Sequence, residues 1–310
     1  MAGDVLKESL TCTTPNICFA PIEAAQVAKR AALFDTILVV ADPYSVADRI
    51  DLYETLGVNV SLYPYTPLDA PTIISVLGLL AWLERETSRG RVLVEGFGGE
   101  RLVMAAYLIY HGVNIEEVLS RIAGLGGLHS PLHLRLLLIL WALSRELDLK
   151  REASRYIEHA FTGGDAHLAW TIEFAVEHYL QLRHLLPIRL TQLYYSIIGH
   201  KHVRLNDVEK SVLNIAESLD YTLVGAVRNV AVSIGVESLE IHVGCQLLDR
   251  EGQCWPEAEK ARLHYDRLAR LLGIKNTSFT MTTPEEAACI AYGDYAPDLC
   301  GGRDTQYGWS

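Results

Sequence analysis

Three short β-branched runs, at 36–40, 58–63 and 91–94, are each bounded by turn residues, and stretches with apolar residues at helical spacing separate them. Strands alternating with helices predict an α/β unit with a mostly parallel sheet. Its expected helices lie at 21–33, 45–56, 71–87, 101–112 and from Asn114 or Ile115 to 122, with Pro71 suited to a first turn. Gly124-Leu-Gly-Gly127 ends this periodicity and predicts a boundary near 125/126. Helical patterns then follow at 131–147, 150–161, 167–185, 188–198 and 206–219, the last opening on Asn206-Asp-Val-Glu209, a capping-box pattern. Two alternating runs at 227–233 and 238–243 predict an antiparallel pair turning at Gly235, followed by a helix at 256–272 and a strand at 278–281. The expected division is therefore an α/β domain over 1–125, a mainly helical domain with a small β-hairpin over 126–281, and an irregular tail over 282–310.

Composition narrows the function classes. The 310 residues are 50% hydrophobic and 21% charged, enough apolar material for about two cores at ~150 residues each. Lys plus Arg is 27 against 38 Asp plus Glu, a net charge of −11 that repels a phosphodiester backbone, so no nucleic-acid partner is expected. The apolar stretches 132–143 and 76–83 are broken or bounded by His133, Arg135 and Glu84 and fall short of the ~20 residues of a membrane span. The first 20 residues carry Asp4, Lys7 and Glu8 without a long apolar run, against a signal peptide. A soluble cytoplasmic protein is expected.

The segment from Gly90 to Leu108, Gly-Arg-Val-Leu-Val-Glu-Gly-Phe-Gly-Gly-Glu-Arg-Leu-Val-Met-Ala-Ala-Tyr-Leu, predicts a strand, a glycine-rich turn and a helix. Such a turn turns backbone N–H groups and a helix N-terminus toward an anion. Gly96, Phe97, Gly98, Gly99 and Arg101 form the expected anion-binding set, although the glycines equally suit a tight strand-to-helix turn. Here the sequence resembles the cysteine-dependent phosphatases of the dual-specificity and tyrosine phosphatase superfamily. In that family the strand leads into His-Cys-x-x-Gly-x-x-Arg, and the next helix commonly reads Ala-Ala-Tyr-Leu. A Gly57-Val-Asn-Val60 strand start, Pro67-Leu-Asp-Ala-Pro71 like the family's acid loop, and Trp82-Leu-Glu84 extend the resemblance over roughly 16–122. It implies that family's α/β fold, a phosphate loop at 96–101, and the general-acid position at Asp69.

The same alignment removes the family's chemistry. Gly96 stands where the nucleophilic cysteine belongs and Glu95 where the histidine does, and the loop is shorter by about three residues, so Arg101 meets the phosphate-clamping arginine only across a gap. No nucleophile remains. Plainer readings stay open: Asp69 as a cap for the helix near Pro71, Arg101 as an ion-pair partner of Glu100 or Asp69, and Glu95 as negative charge opposing a phosphate.

Eight of the 11 histidines, from His129 to His202, fall in the helical half. His129/His133 and Glu173/Glu177 are spaced to share helix faces, yet no His-Asp dipeptide of the metal-phosphohydrolase kind occurs, so no metal or other cofactor is expected. Val212-Leu-Asn-Ile-Ala-Glu-Ser-Leu-Asp-Tyr221 with the two strands after it resembles the C-terminal region of the exopolyphosphatase and guanosine pentaphosphate phosphohydrolase family. That resemblance implies an HD-like helical domain that binds a ligand or regulates, without the family's actin-like catalytic domain.

The six cysteines, Cys12, Cys18, Cys245, Cys254, Cys289 and Cys300, follow no zinc spacing. They read first as buried thiols, with disulfides as the alternative in a hyperthermophilic interior, an origin with which 20 Arg against 7 Lys is compatible. The tail is expected to dock through Tyr292, Tyr295, Tyr307 and Trp309, with Cys289–Cys300 as its bridge; a mobile terminus with two thiols is the alternative. Three functions follow. The first is a degenerate phosphatase-like protein that binds a phosphorylated small molecule, polyphosphate or nucleotide without cysteine catalysis. The second is an active phosphohydrolase with its chemistry moved to Asp69 with a histidine-held metal, or to Cys300-Gly-Gly-Arg303. The third is an assembly role, including a homodimer, through an apolar helix face such as 132–143.

Overall fold

The structure, a computed structural model described over residues 10–23, 26–220, 225–235, 237–246 and 254–301, divides into two compact units. The first takes the described residues up to His133 and returns for Asp148–Gly164; the second takes Leu134–Leu147 and the described residues from Asp165 onward. The units thus depart from a simple cut at 125/126.

In the first unit β1 (Thr11–Thr14) and β2 (Ile17–Pro21) form an antiparallel hairpin, and β3 (Thr36–Ala41), β4 (Asn59–Pro64) and β5 (Val92–Gly96) complete a sheet of order β1-β2-β5-β3-β4. β2, β5, β3 and β4 run parallel. β3 is buried at all six positions, as a strand between parallel neighbours with both faces covered must be. Side chains alternate across it. Cys18, Ala20, Ile37, Val39, Ala41 and Leu93 meet Val27 from α1 (Val27–Ala31), Phe34 from the loop after it, and Val46 and Tyr53 from α2 (Pro43–Thr55). The other face meets α3 (Ile73–Thr87) and α4 (Gly99–Tyr110), as in the Phe19–Tyr107 ring contact at 6.2 Å. α5 (Ile115–Ala123) packs on α4.

The hairpin is an addition to the expected fold, and the helix expected over 21–33 shrinks to α1. Ile17-Cys-Phe-Ala20 is a short apolar run that pairs in parallel with Val92–Glu95, and four such residues are too few for periodicity to separate strand from helix. α6 (Pro131–Glu146) begins in the first unit and continues in the second. The helix expected over 150–161 is instead α7 (Leu149–Ser154) and a 3₁₀ turn, Ile157–His159. This segment lies against α3 where Gly78 leaves room: a Cβ there would stand 2.2 Å from the Tyr156 carbonyl oxygen. Trp82 and Phe161 meet edge to face at 5.3 Å.

The second unit adds α8 (Ala166–Leu182), α9 (Leu190–Ile197) and α10 (Asp207–Leu219), the last with the expected Asn206–Glu209 capping box. β6 (Val227–Ile234) and β7 (Ser238–Cys245) form the expected antiparallel pair. After α11 (Trp255–Leu271), β8 (Asn276–Thr282) joins β7 in parallel, so the hairpin becomes a three-stranded sheet. The expectation of an irregular tail is corrected. Thr283 and Glu286 form a second capping box that opens α12 (Pro284–Tyr292), which packs on β6, and a short α13 (Pro297–Cys300) follows.

The buried-thiol reading is corrected as well: Cys12–Cys18, Cys245–Cys254 and Cys289–Cys300 are disulfides, which leaves no thiol at Cys300 for relocated chemistry. Tyr292 is buried and Tyr295 partly exposed, while Arg303, Tyr307 and Trp309 lie outside the described residues. No described helix is long and apolar enough to cross a membrane.

Candidate functional site

In open parallel sheets the loops at the carboxyl ends of the strands form the ligand crevice. Here those ends are Pro21, Ala41, Pro64 and Gly96. β5 reaches this edge carrying Glu95, whose side chain turns to the α1/α2 face and is fully buried. Arg30 Nη1 donates to its Oε2 at 2.7 Å, Arg49 Nε to Oε1 at 2.5 Å and Arg49 Nη2 to Oε2 at 3.1 Å, and the Tyr53 hydroxyl adds a donor at 3.0 Å. Two guanidiniums therefore neutralise Glu95, and its expected opposition to an anion in the loop is corrected: the charge is spent fastening α1 and α2 to the central strand.

One residue later the backbone turns. Gly96 is buried with no room for a side chain, since a Cβ there would stand 2.6 Å from the Val40 carbonyl oxygen and 2.9 Å from both the amide nitrogen and Oε2 of Glu100. Phe97 projects from the turn, 52% exposed. Gly98 caps α4 at φ +92°, a left-handed conformation that excludes most side chains. A Cβ on Gly98 would also stand 1.9 Å from His129 Cε1, and one on Gly99 2.8 Å from the Tyr65 ring. Two ring residues thus lie directly on the backbone of Gly98 and Gly99, and the Val40 carbonyl and Glu100 crowd Gly96, which is why glycine occurs three times in four positions.

The group held by this turn is Glu100. Its Oε2 accepts a hydrogen bond from the Gly98 N–H at 2.6 Å, and its carboxylate also accepts from its own amide. Glu100 is 4% exposed, and burial raises its carboxyl pKa to about 6, against the pull of those N–H groups and of Arg101. Arg101 is a loose partner, with Nε 3.5 Å from Glu100 Oε1 and Nη1 donating to the Gly127 carbonyl oxygen at 3.4 Å. Of the two partners the sequence offered Arg101, Glu100 and Asp69, the structure pairs it with Glu100; the role of Glu100 as the anion in the turn was missed. Its signal was present, because an acid in the first turn after a glycine cap sits among free N–H donors.

Asp69 lies in the loop after β4. It is not the cap of α3, which is Thr72, whose hydroxyl accepts from Ser75 N–H. Asp69 Oδ1 accepts from the Ala70 amide at 2.9 Å, and its carbonyl oxygen accepts from His133 Nε2 at 3.1 Å. Burial lowers the His133 pKa to about 4 and its Nε2 carries the donated proton, so it is a neutral imidazole. Its ring lies 5.4 Å from that of Tyr65. Tyr65 is 4% exposed, and its hydroxyl has no hydrogen-bond partner among the described residues. Burial and the charge of Glu100 push its pKa up, with Arg101 opposing. Burial and the Arg101 charge hold His129 below the usual imidazole range. Beside the loop, a cleft of about 360 Å³ is walled by Glu100, Arg101 and Met104 together with Phe19, Glu23 and Leu125.

In the second unit the groups spaced for a metal are otherwise employed. Arg135 Nε and Nη2 donate to the two carboxylate oxygens of Glu177 at 2.8 and 3.1 Å, and Nη1 donates to Glu173 Oε2 at 2.8 Å. His178 donates from Nδ1 to the Phe174 carbonyl oxygen and accepts at Nε2 from the Tyr265 hydroxyl, and His167 pairs with Asp220. Among the described residues no group of three or more His, Cys, Asp or Glu side chains is placed to hold a metal ion.

No family model and no curated protein matches the chain. Solved structures do. One described as Tk-PTP in the active form aligns at 24% identity with a TM-score of 0.41, covering 43% of this chain and 97% of its own. A kinase associated phosphatase whose catalytic cysteine is replaced by serine aligns at 16% identity with a TM-score of 0.36, covering 39% of this chain and 83% of its own. The structural neighbours are protein tyrosine phosphatases, each aligned over half of this chain or less.

Proposed function

We propose that the first unit is a phosphatase-like binding domain that takes the phosphate of a phosphorylated small molecule, nucleotide, polyphosphate or partner at Gly96, Phe97, Gly98, Gly99 and Arg101, without cysteine-based transfer. The observation that carries this reading is the 2.6 Å hydrogen bond from the Gly98 amide to a carboxylate: the turn already functions as an anion receptor, for an anion of its own chain. The absent cysteine and the crowding at Gly96 support the lack of phosphoryl transfer. We read the second unit, with its exopolyphosphatase-like and HD-like sequence resemblance, as the regulatory or binding companion of this domain. Its Glu173, Glu177 and His178 are engaged in holding helices together.

Isothermal titration with sulfate, orthophosphate, ATP, polyphosphate and inositol hexakisphosphate tests the reading, with p-nitrophenyl phosphate hydrolysis run beside it. The expected outcome is binding of at least one phosphorylated class, weakened about tenfold or more by Arg101→Ala, and no turnover. Turnover lost in Asp69→Asn would favour the phosphohydrolase alternative, and absence of binding throughout would end the proposal.

A further inference from the structure

The turn at the end of β5 offers few donors, and one of them is taken. The Gly98 amide points at Glu100 Oε2, and the same carboxylate crowds the space a side chain at Gly96 would need. An external anion cannot reach that amide while Glu100 holds it. The enclosure is nevertheless poorly satisfied. Arg101 approaches no closer than 3.5 Å, and the buried Tyr65 hydroxyl, within electrostatic reach of both Glu100 and Arg101, donates to nothing described. A closed structural ion pair would use these groups; a site built for a larger anion leaves them over.

We infer that Glu100 is a displaceable internal ligand of this turn and its specificity-determining residue, excluding carboxylate ligands and admitting dianionic phosphate or sulfate groups that expel it. The inference rests on the reading of the turn as an anion site. Its logic is one of exchange. A ligand carboxylate would form the bonds Glu100 already forms, while Glu100 competes from the same chain at high effective concentration. A phosphate or sulfate group brings a second charge for Arg101 and further oxygens for the Tyr65 hydroxyl, which a carboxylate in this position leaves unmet. The vacated carboxylate has somewhere to go, because Glu100 also lines the 360 Å³ cleft beside the turn.

Protonation of Glu100 weakens the internal competitor. The groups facing it are Arg101 on its own helix, the Tyr65 hydroxyl from the loop after β4, and Glu23 across the cleft; His129 lies against Gly98, and His133 and Asp69 stand behind Tyr65. His129 and His133 also gain charge as pH falls, so a variant at Glu100 is needed to separate their contribution.

Sulfate, which keeps its charge from pH 5 to 8, is the probe, titrated into wild type, Glu100→Gln and Glu100→Ala at pH 7.5 and pH 5. With a midpoint at about 6, Glu100 is protonated in about 3% of molecules at pH 7.5 and about 90% at pH 5, so wild-type affinity rises by at most about thirtyfold, the limit in which the ionised form binds no sulfate. Glu100→Gln binds at pH 7.5 tighter than wild type by up to the same factor and comes within about twofold of it at pH 5. Acetate binds Glu100→Ala and not wild type. Equal sulfate affinity of wild type and Glu100→Gln at both pH values overturns the inference and leaves the anion site standing. No sulfate binding by Glu100→Gln at either pH, with its unfolding midpoint kept, overturns the anion site itself. Glu100→Gln is nearly isosteric, so the comparison survives even where Glu100→Ala fails to fold.

Discussion

The second unit and the first each bury a carboxylate cluster, and they bury it in different ways. Around Arg135 every guanidinium edge is used: two parallel bonds to Glu177 and one to Glu173, all between 2.8 and 3.1 Å, on side chains with almost no exposure. Burial pushes the Glu177 carboxyl up, and the Arg135 guanidinium opposes that push. Around Glu100 the donors are backbone amides, the Arg101 cation is loose at 3.5 Å, and a buried hydroxyl is left over. A saturated cluster fixes helices; an unsaturated one at the end of parallel strands has capacity for a ligand. Glu95, only five positions before Glu100 on the same chain segment, falls with the saturated kind, because Arg30, Arg49 and Tyr53 converge on it.

The sharpest way to break this comparison is to open the saturated cluster. Arg135→Met strands two buried carboxylates and is expected to cost about 3–5 kcal/mol, measured by urea unfolding at pH 7.5. Replacing Glu173 and Glu177 with apolar residues as well should recover most of the loss, since desolvation then disappears along with attraction. A cost under about 1 kcal/mol for Arg135→Met alone would place the cluster with ordinary surface pairs and dissolve the contrast.

Gly98→Ala probes the unsaturated side. The residue sits at φ +92°, and its new methyl group would meet the His129 ring. The left-handed backbone alone costs about 1–2 kcal/mol for an L-residue. The total expected loss is about 2–3 kcal/mol with sulfate binding impaired, and Gly98→Ala combined with His129→Ala should return the part due to the clash. If Gly98→Ala unfolds at the wild-type midpoint and still binds sulfate, the turn is not the constrained receptor described.

The contrast also explains what the sequence revealed and what it hid. β3, β4 and β5, the helices between them and the Gly96–Arg101 turn were legible because β-branched runs and 3.6-residue spacing are local signals. The Asn206 capping box was legible for the same reason. The hairpin Thr11–Pro21 was hidden: a four-residue apolar run declares itself only by pairing with β5, some 70 residues away. β8 depends in the same way on β7. In the site, the glycines and Arg101 were visible, but the direction of Glu95 was not, since a strand residue's face follows from what covers the sheet. Likewise, nothing local tells that Glu173 and Glu177 close on Arg135, about 40 residues earlier, rather than on a metal. Of the three cysteine pairs, Cys289–Cys300 was expected from the closeness of the two positions in the tail, whereas Cys12–Cys18 and Cys245–Cys254 were left open for want of any spacing rule, and folding supplied them.

The smallest effect expected is the most diagnostic of the unsaturated cluster. In the folded protein the Glu100 carboxyl titrates at about 6, above its ordinary 4.5, because burial disfavours its charge. A raised carboxyl pKa means that the folded state holds its proton more tightly than the unfolded chain does. The resulting stability is fully present below the unfolded pKa and is lost as pH rises through about 6. At 1.36 kcal/mol per pH unit, and discounted for the part of the side chain open to the cleft, the loss is about 1–2 kcal/mol. Glu100→Gln has no charge to bury and keeps an oxygen for the Gly98 amide. It should therefore be more stable than wild type by about 1 kcal/mol at pH 8, and equal or slightly less stable at pH 4.5. His129 and His133 titrate in both proteins and cancel in the difference. Unfolding free energies of the pair measured from pH 4.5 to 8 decide the matter. A difference that bends near pH 6 identifies Glu100 as a carboxylate held against its preference, and a difference flat with pH makes it one more satisfied acid, of the same kind as Glu95.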